Sequence, residues 1–321
     1  MAGFTAGNTQ YLTRANIWSA QIKEVLEEEL YAQKWIDWIT DFPDGDTLNI
    51  PSIGAHEIKD YVEGQQVQYT AMDTGNFTFT IDQYKSAATY ITNQMKQDSF
   101  YMSRLVSSFV PKQKRAIAEA METRVFNRMN AGQTASGPNL INGGDHRLIG
   151  SGTNEVMAVK DFAMAKYALR KANVPMTNLI AVVDPSVEFE LSTHTNLVNV
   201  SNNKQWEGII RDGMSSGMRF FMNIYGFDVY VSDFLPTSVN ETITPTVGSA
   251  ATTASGVANF FFSAAPDVLP VVGNVRQAPN VDSEFNKDWQ REEYVTTTRY
   301  GFKLYRPENL VTVITDNDQV S

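Results

Sequence analysis

Residues 46–131 read DTLNIPSIGAHEIKDYVEGQQVQYTAMDTGNFTFTIDQYKSAATYITNQMKQDSFYMSRLVSSFVPKQKRAIAEAMETRVFNRMNA, and their patterns are the most informative about the architecture of the chain. After a short strand pattern at Thr47–Ile50, the segment from Gly54 to Thr80 has no one-sided apolar face. A loop of this length without its own core is either functional or disordered. Weak strand patterns predict a two-stranded ribbon built from Ile58–Val62, Val67–Tyr69 and Phe77–Ile81.

The predicted ribbon is too long to be stable alone. Arms of ~12 residues reach roughly 40 Å at ~3.3 Å per residue, and an isolated two-stranded ribbon is only marginally stable in water. We therefore expect this extended loop to lie on another subunit. Its expected contact residues are Tyr61, Gln66, Tyr69 and Phe77.

A long helix is predicted after the ribbon and a strand at Lys85–Thr92. Apolar residues recur at helical spacing from about Gln97 to Met129, which gives a length on the order of 50 Å at ~1.5 Å per residue. Pro111 is expected to kink this helix or to divide it into two, because proline cannot donate the backbone hydrogen bond.

The rest of the chain predicts a mixed α and β protein. Ahead of the ribbon, a mobile arm at 1–14 precedes an amphipathic helix at Ala15–Ile39. After the long helix, the patterns predict a Gly-rich connector at Gly132–Gly152, helices at Val159–Ala172 and Ser186–Leu191 (with Ser186 as cap), a surface loop at Val239–Gly256, and strands at Leu179–Val183, Arg219–Tyr225, Phe227–Val231, Phe260–Phe262, Val268–Val272, Tyr294–Leu304 and Leu310–Ile314.

The composition excludes several classes of protein. The 321 residues carry a net charge of -10, which argues against a surface that binds nucleic acid throughout. The chain has no cysteine, so disulfides, thiol nucleophiles and cysteine-based metal sites are excluded, as is typical of folding in a reducing cytoplasm. The N-terminus lacks the apolar core of a signal peptide, and the most apolar stretch, Phe260–Val272, is too short for a membrane span.

No motif predicts catalysis, a cofactor or a metal. The histidines His56, His146 and His194 have no ligand spacing, and the best enzyme-like cluster, Gly143–His146, is interpreted as a polar loop. Glu27–Glu29 point in different directions on a helix and are interpreted as a solvated face or as charges that pair with a neighbouring subunit. We therefore expect a structural subunit rather than an enzyme.

Four segments resemble the major capsid proteins of tailed bacteriophages, which have the Hong Kong 97-type coat fold. They are Thr80–Lys85 (TIDQYK), Ile180–Ser186 (IAVVDPS), Asn223–Ser232 (NIYGFDVYVS) followed by Leu235–Pro236, and Arg299–Glu308 (RYGFKLYRPE). Each segment alone is common in α/β proteins, and the resemblance depends on their order over nearly the whole chain.

The resemblance implies an α+β fold with an arm, an extended β-hairpin loop, a long spine helix, and peripheral and axial lobes. Its implied ranges are the arm at 1–14, the extended loop at 52–82, the axial domain at 133–290, and a peripheral domain with the spine helix at 15–51, 83–132 and 291–321. A covalent cross-link through Lys59, as in one branch of the family, is not expected.

The resemblance also implies the function and the partners. The chain is expected to form hexamers and pentamers of an icosahedral phage head that encloses double-stranded DNA without sequence-specific binding. A separate scaffolding protein is implied because the first helix begins by Ala15. A portal protein and a decoration protein are further implied partners, and neither a membrane nor a cofactor is expected. The resemblance also implies that the chain assembles in the bacterial host cytoplasm and becomes part of the virion. The alternatives are an encapsulin-like compartment shell and, more distantly, a soluble α/β hydrolase or binding module.

Overall fold

Two β-sheets and one long helix organise the chain. The computed structural model describes residues 30–40, 45, 47–53, 60, 63, 64, 66, 74–98, 102–132, 139–193, 220–243 and 252–316. The first half of the chain contributes β1 (Ile36–Trp38), β2 (Thr47–Ile53), β3 (Thr74–Thr80), β4 (Gln83–Thr92), α1 (Asn93–Asp98) and α2 (Met102–Ala131). The second half contributes β5 (Leu140–Ile141), β6 (Gly144–Asp145), β7 (Arg147–Ile149), α3 (Val159–Lys171), β8 (Leu179–Val183), α4 (Pro185–Thr193), β9 (Phe220–Ile224), β10 (Phe227–Val231), β11 (Thr237–Ile243), β12 (Thr252–Ser263), β13 (Val271–Asn286), β14 (Arg291–Leu304) and β15 (Val311–Thr315).

The first sheet has four strands in the order β1-β13-β14-β4. Its centre is the long antiparallel hairpin β13–β14, whose register runs from Val271 opposite Leu304 to Asn286 opposite Arg291. Helix α2 packs against this sheet, where the Thr296 hydroxyl donates a hydrogen bond of 2.8 Å to Gln113 in a buried position. The sheet and α2 therefore form one elongated layer pair.

The second sheet has seven strands. Six follow the order β7-β15-β12-β8-β10-β9, and β11 pairs with β12. Strand β8 is buried along its whole length and is parallel to β10. A strand covered on both faces is expected to be a continuous apolar run, as the sequence LIAVV is.

The step from β8 to α4 is capped by Asp184 rather than by Ser186. The Ser186 backbone N–H donates to the Asp184 carboxylate at 2.9 Å, and Pro185 occupies the first helical position. Asp184 thus satisfies one of the free N–H groups at the start of α4, while the fixed φ of proline suits that position. The predicted cap was therefore wrong by two residues.

The hairpin β9–β10 confirms the strand–glycine–strand prediction. Its two turn residues, Tyr225 and Gly226, have φ values of 52° and 90°. Two successive positive φ values are typical of the two-residue turns whose twist matches that of the flanking strands. The Lys166 ammonium donates a hydrogen bond of 2.5 Å to the Tyr225 carbonyl and holds the turn against α3.

Buried charged residues join α2 to the segment at Tyr31 and Ala32 and to β7. Glu122 is wholly buried, and its Oε1 accepts the backbone N–H groups of Tyr31 and Ala32, both at 2.8 Å. Arg147 of β7 is also wholly buried; it donates to both carboxylate oxygens of Glu241 in β11 and to Asn130 of α2. Buried charges are costly unless they are paired, so these contacts fix how α2 meets its neighbours.

The two main cores are rich in aromatic residues. One lies between α2 and the two sheets and includes the stacked pair Phe126 and Phe260, with ring centroids 5.9 Å apart. The other lies between α3 and the seven-stranded sheet, where Phe162 and Phe227 both pack edge-on against Phe261 at 5.1 and 5.4 Å. Phe260 and Phe261, which are adjacent in β12, therefore lie in different cores.

Three predicted elements differ from the structure. Ile36–Trp38 form a strand rather than the end of the first helix, because they pair with Val271–Gly273. Helix α2 continues through Pro111, so the predicted division into two helices is wrong; the loss of one hydrogen bond is offset by packing along the buried stripe that follows. The predicted surface loop at Val239–Gly256 contains two paired strands, β11 and β12. The predicted arm at 1–14 lies outside the described residues.

Two strands belong to a different sheet from the one that the predicted domain ranges imply. Strand β13 lies within the predicted axial range but pairs in the four-stranded sheet, and β15 lies within the predicted peripheral range but pairs in the seven-stranded sheet. The chain crosses between the two sheets near Leu269 and again near Pro307, so each sheet is completed by a strand from a distant part of the chain.

Candidate interaction surfaces

The base of the extended hairpin is firmly attached to the four-stranded sheet. Strands β2 and β3 pair from Thr47 opposite Thr80 to Ile53 opposite Thr74. Phe79 is wholly buried with Ile81 and Val272 in a small apolar cluster. We infer that the hairpin leaves the body of the protein in a fixed direction.

Lys303 and Tyr305 hold the outer face of the same hairpin. The Lys303 ammonium donates a hydrogen bond of 2.6 Å to the Thr78 carbonyl and lies 4.6 Å from the centre of the Phe77 ring. The Phe77 and Tyr305 rings meet edge to face, with centroids 4.8 Å apart. These contacts combine a cation–π interaction with an aromatic pair, each worth on the order of 1 kcal/mol.

Gly301 allows the hairpin to approach β14 closely. A Cβ atom at this position would lie 2.8 Å from the Thr80 carbonyl oxygen and 2.9 Å from the Ile81 Cα. Both neighbours are backbone atoms that cannot move aside cheaply, so only glycine fits here. The glycine of the motif RYGFKLY is therefore needed for β14 to pack closely against the hairpin base.

Asp82 connects the hairpin to α2. Its Oδ2 accepts hydrogen bonds from Arg124, at 2.5 Å, and from Arg128. Partial burial opposes ionisation, but the hydrogen bonds from Arg124 and Gln83 and the charges of both arginines outweigh it, so the pKa of Asp82 is lowered. The carboxylate is therefore ionised at neutral pH and binds two successive turns of the helix.

The four predicted contact residues fall in different places. Gln66 is exposed, as a contact with another subunit requires. Phe77 is half-buried in the hairpin base, where it packs on Tyr305 of the same chain. Tyr61 and Tyr69 lie outside the described residues.

Sequence reasoning missed Asp82 and Lys303, although Asp82 lies in the motif TIDQYK and Lys303 in RYGFKLY, because no local pattern indicates that these motifs meet.

A second surface lies at the far end of the four-stranded sheet. Trp289, 69% exposed, and Tyr90, 59% exposed, flank the guanidinium of Arg291. The Arg291 carbon lies 4.6 Å from the centre of the Tyr90 ring and 5.4 Å from that of Trp289. Phe285 is exposed on the same hairpin. Trp, Tyr and Arg are the residues that contribute most to protein interfaces.

This aromatic end, defined as Tyr90, Phe285, Trp289 and Arg291, is held in shape by polar contacts. The Asn286 side chain accepts the backbone N–H of Trp289 at 3.3 Å. Lys96 forms an ion pair with Glu292 at 2.8 Å. The backbone of Asn93 donates to the Gln290 carbonyl at 2.9 Å. A preordered surface loses little conformational entropy on binding, which favours its use as an interface.

The other candidate cluster, Gly143–His146, is neither an open site nor a polar loop. His146 is wholly buried and its Nδ1 lies 2.9 Å from the Leu310 carbonyl oxygen. Gly144 packs against the backbone of Ala168. In the described part of the chain no group of three or more His, Asp or Glu side chains could hold a metal ion, and no helix is long and apolar enough to cross a membrane. His56 and His194 lie outside the described residues.

Comparisons with known proteins agree on one class. A family model described as phage capsid protein matches residues 76–313. A solved structure from Mycobacterium phage Che8 aligns with a TM-score of 0.68 and 18% identity over 94% of this chain and 96% of that one. The capsid of cyanophage P-SCSP1u aligns with a TM-score of 0.72 and 14% identity over 97% and 95%. The capsid of Ralstonia phage GP4 aligns with a TM-score of 0.65 and 11% identity over 98% of each chain. A search among curated proteins finds no significant match.

Proposed function

Because the chain belongs to the phage capsid protein family, we propose that identical copies of it assemble into the hexamers and pentamers of an icosahedral head around double-stranded DNA. The chain is a major capsid protein, and its α+β fold is Hong Kong 97-like. In this proposal the protein works through the geometry of its interfaces and carries out no catalysis.

The aromatic end is the observation that carries the proposal of self-assembly. The described part of the chain buries most of its phenylalanines, yet it exposes Tyr90, Phe285 and Trp289 together at one end of the four-stranded sheet. Exposed apolar groups that lie together mark interaction sites more often than singly scattered ones. In a shell built from identical copies, the most abundant partner for this surface is another copy of the chain.

A substitution at the aromatic end tests this proposal. We expect Trp289→Ser to reduce the yield of assembled particles at least roughly tenfold, because a central interface tryptophan is commonly worth 2 kcal/mol or more. Particles are counted by electron microscopy and by sedimentation of the expressed protein. Tyr225→Ser is the matched control, since Tyr225 is similarly exposed at a turn of the other sheet. Equal yields for the two variants would contradict the proposal.

The extended loop is the second proposed interface. Its base is fixed on its own subunit by Phe79 and Asp82. We propose that Tyr61, Gln66 and Tyr69, in the rest of the loop, contact a neighbouring subunit. We propose that Phe77 contributes to the inter-subunit contact only indirectly, through the base that sets the direction of the loop. The domain ranges at 1–14, 15–51, 52–82, 83–132, 133–290 and 291–321 belong to the same proposal.

The proposed partners follow from the proposed assembly. A separate scaffolding protein sets the size of the shell, a portal protein occupies one vertex, and a decoration protein binds the outside. The packaged DNA is held without sequence-specific contacts, as suits a chain with a net charge of -10. Assembly takes place in the bacterial host cytoplasm.

A further inference from the structure

An open cleft of about 390 Å³ lies beside the base of the extended loop. It is lined by Ile81, Asp82, Gln83, Tyr84, Gln277 and Arg299. Tyr84, Arg299 and Gln277 are register partners on three adjacent strands, so their side chains leave the same face of the sheet. The pairing of β13 is irregular on both sides of Gln277, and such bulges re-aim side chains next to binding sites.

The charged residues that line the cleft are one arginine and one aspartate. Arg299 is half-buried and makes no ion pair in the described part of the chain. Asp82, the acidic group of the cleft, is already bound by Arg124 and Arg128. Because Asp82 is already neutralised by these two arginines of α2, the charge of Arg299 is left without a counter-charge among the lining residues. A guanidinium in a concave site prefers a carboxylate, which it can bind through two parallel hydrogen bonds.

The extended loop carries the complementary charge. Residues 54–73 contain four acids and one lysine, a net charge of -3. Two of these acids, Asp60 and Glu63, are described and both are exposed. Their carboxylates therefore do not occupy the cleft of their own chain.

We propose that Asp60 and Glu63 of one copy bind in the Arg299 cleft of the next copy. This inference rests on the proposed assembly and names the place where the loop binds. Each copy then offers one loop and one cleft on different parts of its surface. Such a contact is head-to-tail, and head-to-tail contacts close into rings when the rotation between copies allows it. The base of each loop, fixed by Phe79 and Asp82, would set that rotation.

A disulfide trap tests the contact directly, because the chain has no cysteine of its own. The test protein carries Glu63→Cys and Tyr84→Cys; the control carries Glu63→Cys and Tyr225→Cys. We expect oxidised particles of the test protein to give a ladder of linked chains up to the hexamer on a non-reducing denaturing gel, whereas the control stays monomeric. A test protein that forms particles but no ladder, or only internally linked monomers, overturns the binding place and leaves the assembly proposal standing. If the unmodified chain forms no particles, both proposals are overturned.

A charge exchange tests the chemistry of the contact. We expect Arg299→Glu to lower the particle yield roughly tenfold, the effect of losing one charge-assisted contact of ordinary strength. Adding Asp60→Arg and Glu63→Arg to the same chain should restore the yield, because the attraction is then re-formed with opposite signs. Failure of this rescue in a chain whose circular dichroism matches that of the unmodified protein overturns the proposal.

Discussion

Glu122, Arg147 and Asp161 are charged side chains that the described structure buries completely. Each forms hydrogen bonds through part of its polar group; the Asp161 Oδ2, for example, accepts the backbone N–H groups of Ser151 and Ala158 at 3.0 and 2.8 Å. Replacing Glu241 would leave Arg147 as a buried unpaired charge, which typically costs 3–5 kcal/mol. These residues therefore specify how the elements meet rather than adding a large net stability.

His146 makes the stability of the subunit depend on pH. Burial lowers its pKa, and the Leu310 carbonyl and the charges of Glu308 and Asp145 only partly oppose that shift. The unfolded chain, with a histidine pKa near the ordinary value, binds the proton more readily than the folded chain does. The free energy of unfolding is therefore expected to fall as the pH drops below about 6.5 and to level off below the lowered pKa of the folded state.

Denaturant unfolding of the isolated subunit at pH 7.5, 6.5 and 5.5 measures this effect. A His146→Gln variant should lose most of the slope between pH 6.5 and 5.5, whereas His56→Gln should keep it. Parallel slopes for the unmodified chain and the His146→Gln variant would show that His146 is not the group responsible.

At the scale of elements, the hairpin β2–β3 has a fixed base and a tip that is proposed to contact a neighbouring subunit. The base pairs at Thr47–Ile53 and Thr74–Thr80 and is held by Phe79, Lys303 and Asp82. The residues between the two strands that the structure describes, Asp60, Glu63, Gly64 and Gln66, are exposed and belong to neither main core. Shortening the tip should therefore spare folding, provided that both paired strands remain.

Replacing residues 56–72 by an Asn-Gly turn with short flanking glycines tests this separation. We expect the variant to keep the thermal stability of the isolated subunit within a few degrees, because the described cores are untouched, but to form few or no stable shells. Calorimetry and electron microscopy give the two readouts. A variant that builds shells of normal yield and stability would exclude the loop as an essential interface.

At the scale of the whole molecule, two electrostatic effects act in opposite directions during assembly. Each copy carries a net charge of -10, so copies repel one another over distances comparable with the Debye length, about 10 Å at 0.1 M salt. The proposed Arg299 contact acts at hydrogen-bond distance, well inside that length, and is screened much less. Moderate salt should weaken the repulsion more than the attraction.

We therefore expect the critical concentration for assembly to fall as the salt concentration rises from about 0.01 M to about 0.15 M. Light scattering on a concentration series at each salt level measures it. The Arg299→Glu variant, with its more negative charge, should show a steeper fall than the unmodified chain. A critical concentration that rises over this range would mean that attractive charge pairs, not net repulsion, dominate the assembly.

Local signals in the sequence determined the kinds of element and their order. The apolar run LIAVV, the Asp-Pro step after it and the Tyr-Gly turn each carry their own conformational preference, so β8, α4 and the hairpin β9–β10 were predictable from neighbouring residues alone. The coreless segment after Gly54 and the stripe along α2 likewise need no distant partner to be recognised. For this reason the order of elements was enough to indicate the family.

The tertiary structure alone decided which distant residues meet. Lys96 and Glu292 are 196 positions apart, and Lys303 and Thr78 are 225 apart, so no local pattern could pair them. Local patterns likewise could not indicate that β13 and β15 belong to different sheets, or that the residues of the aromatic end and of the cleft at Arg299 lie together. Sequence patterns report the preference of a segment for helix or strand, but an interface is built by side chains that only the completed packing of the sheets brings onto one face.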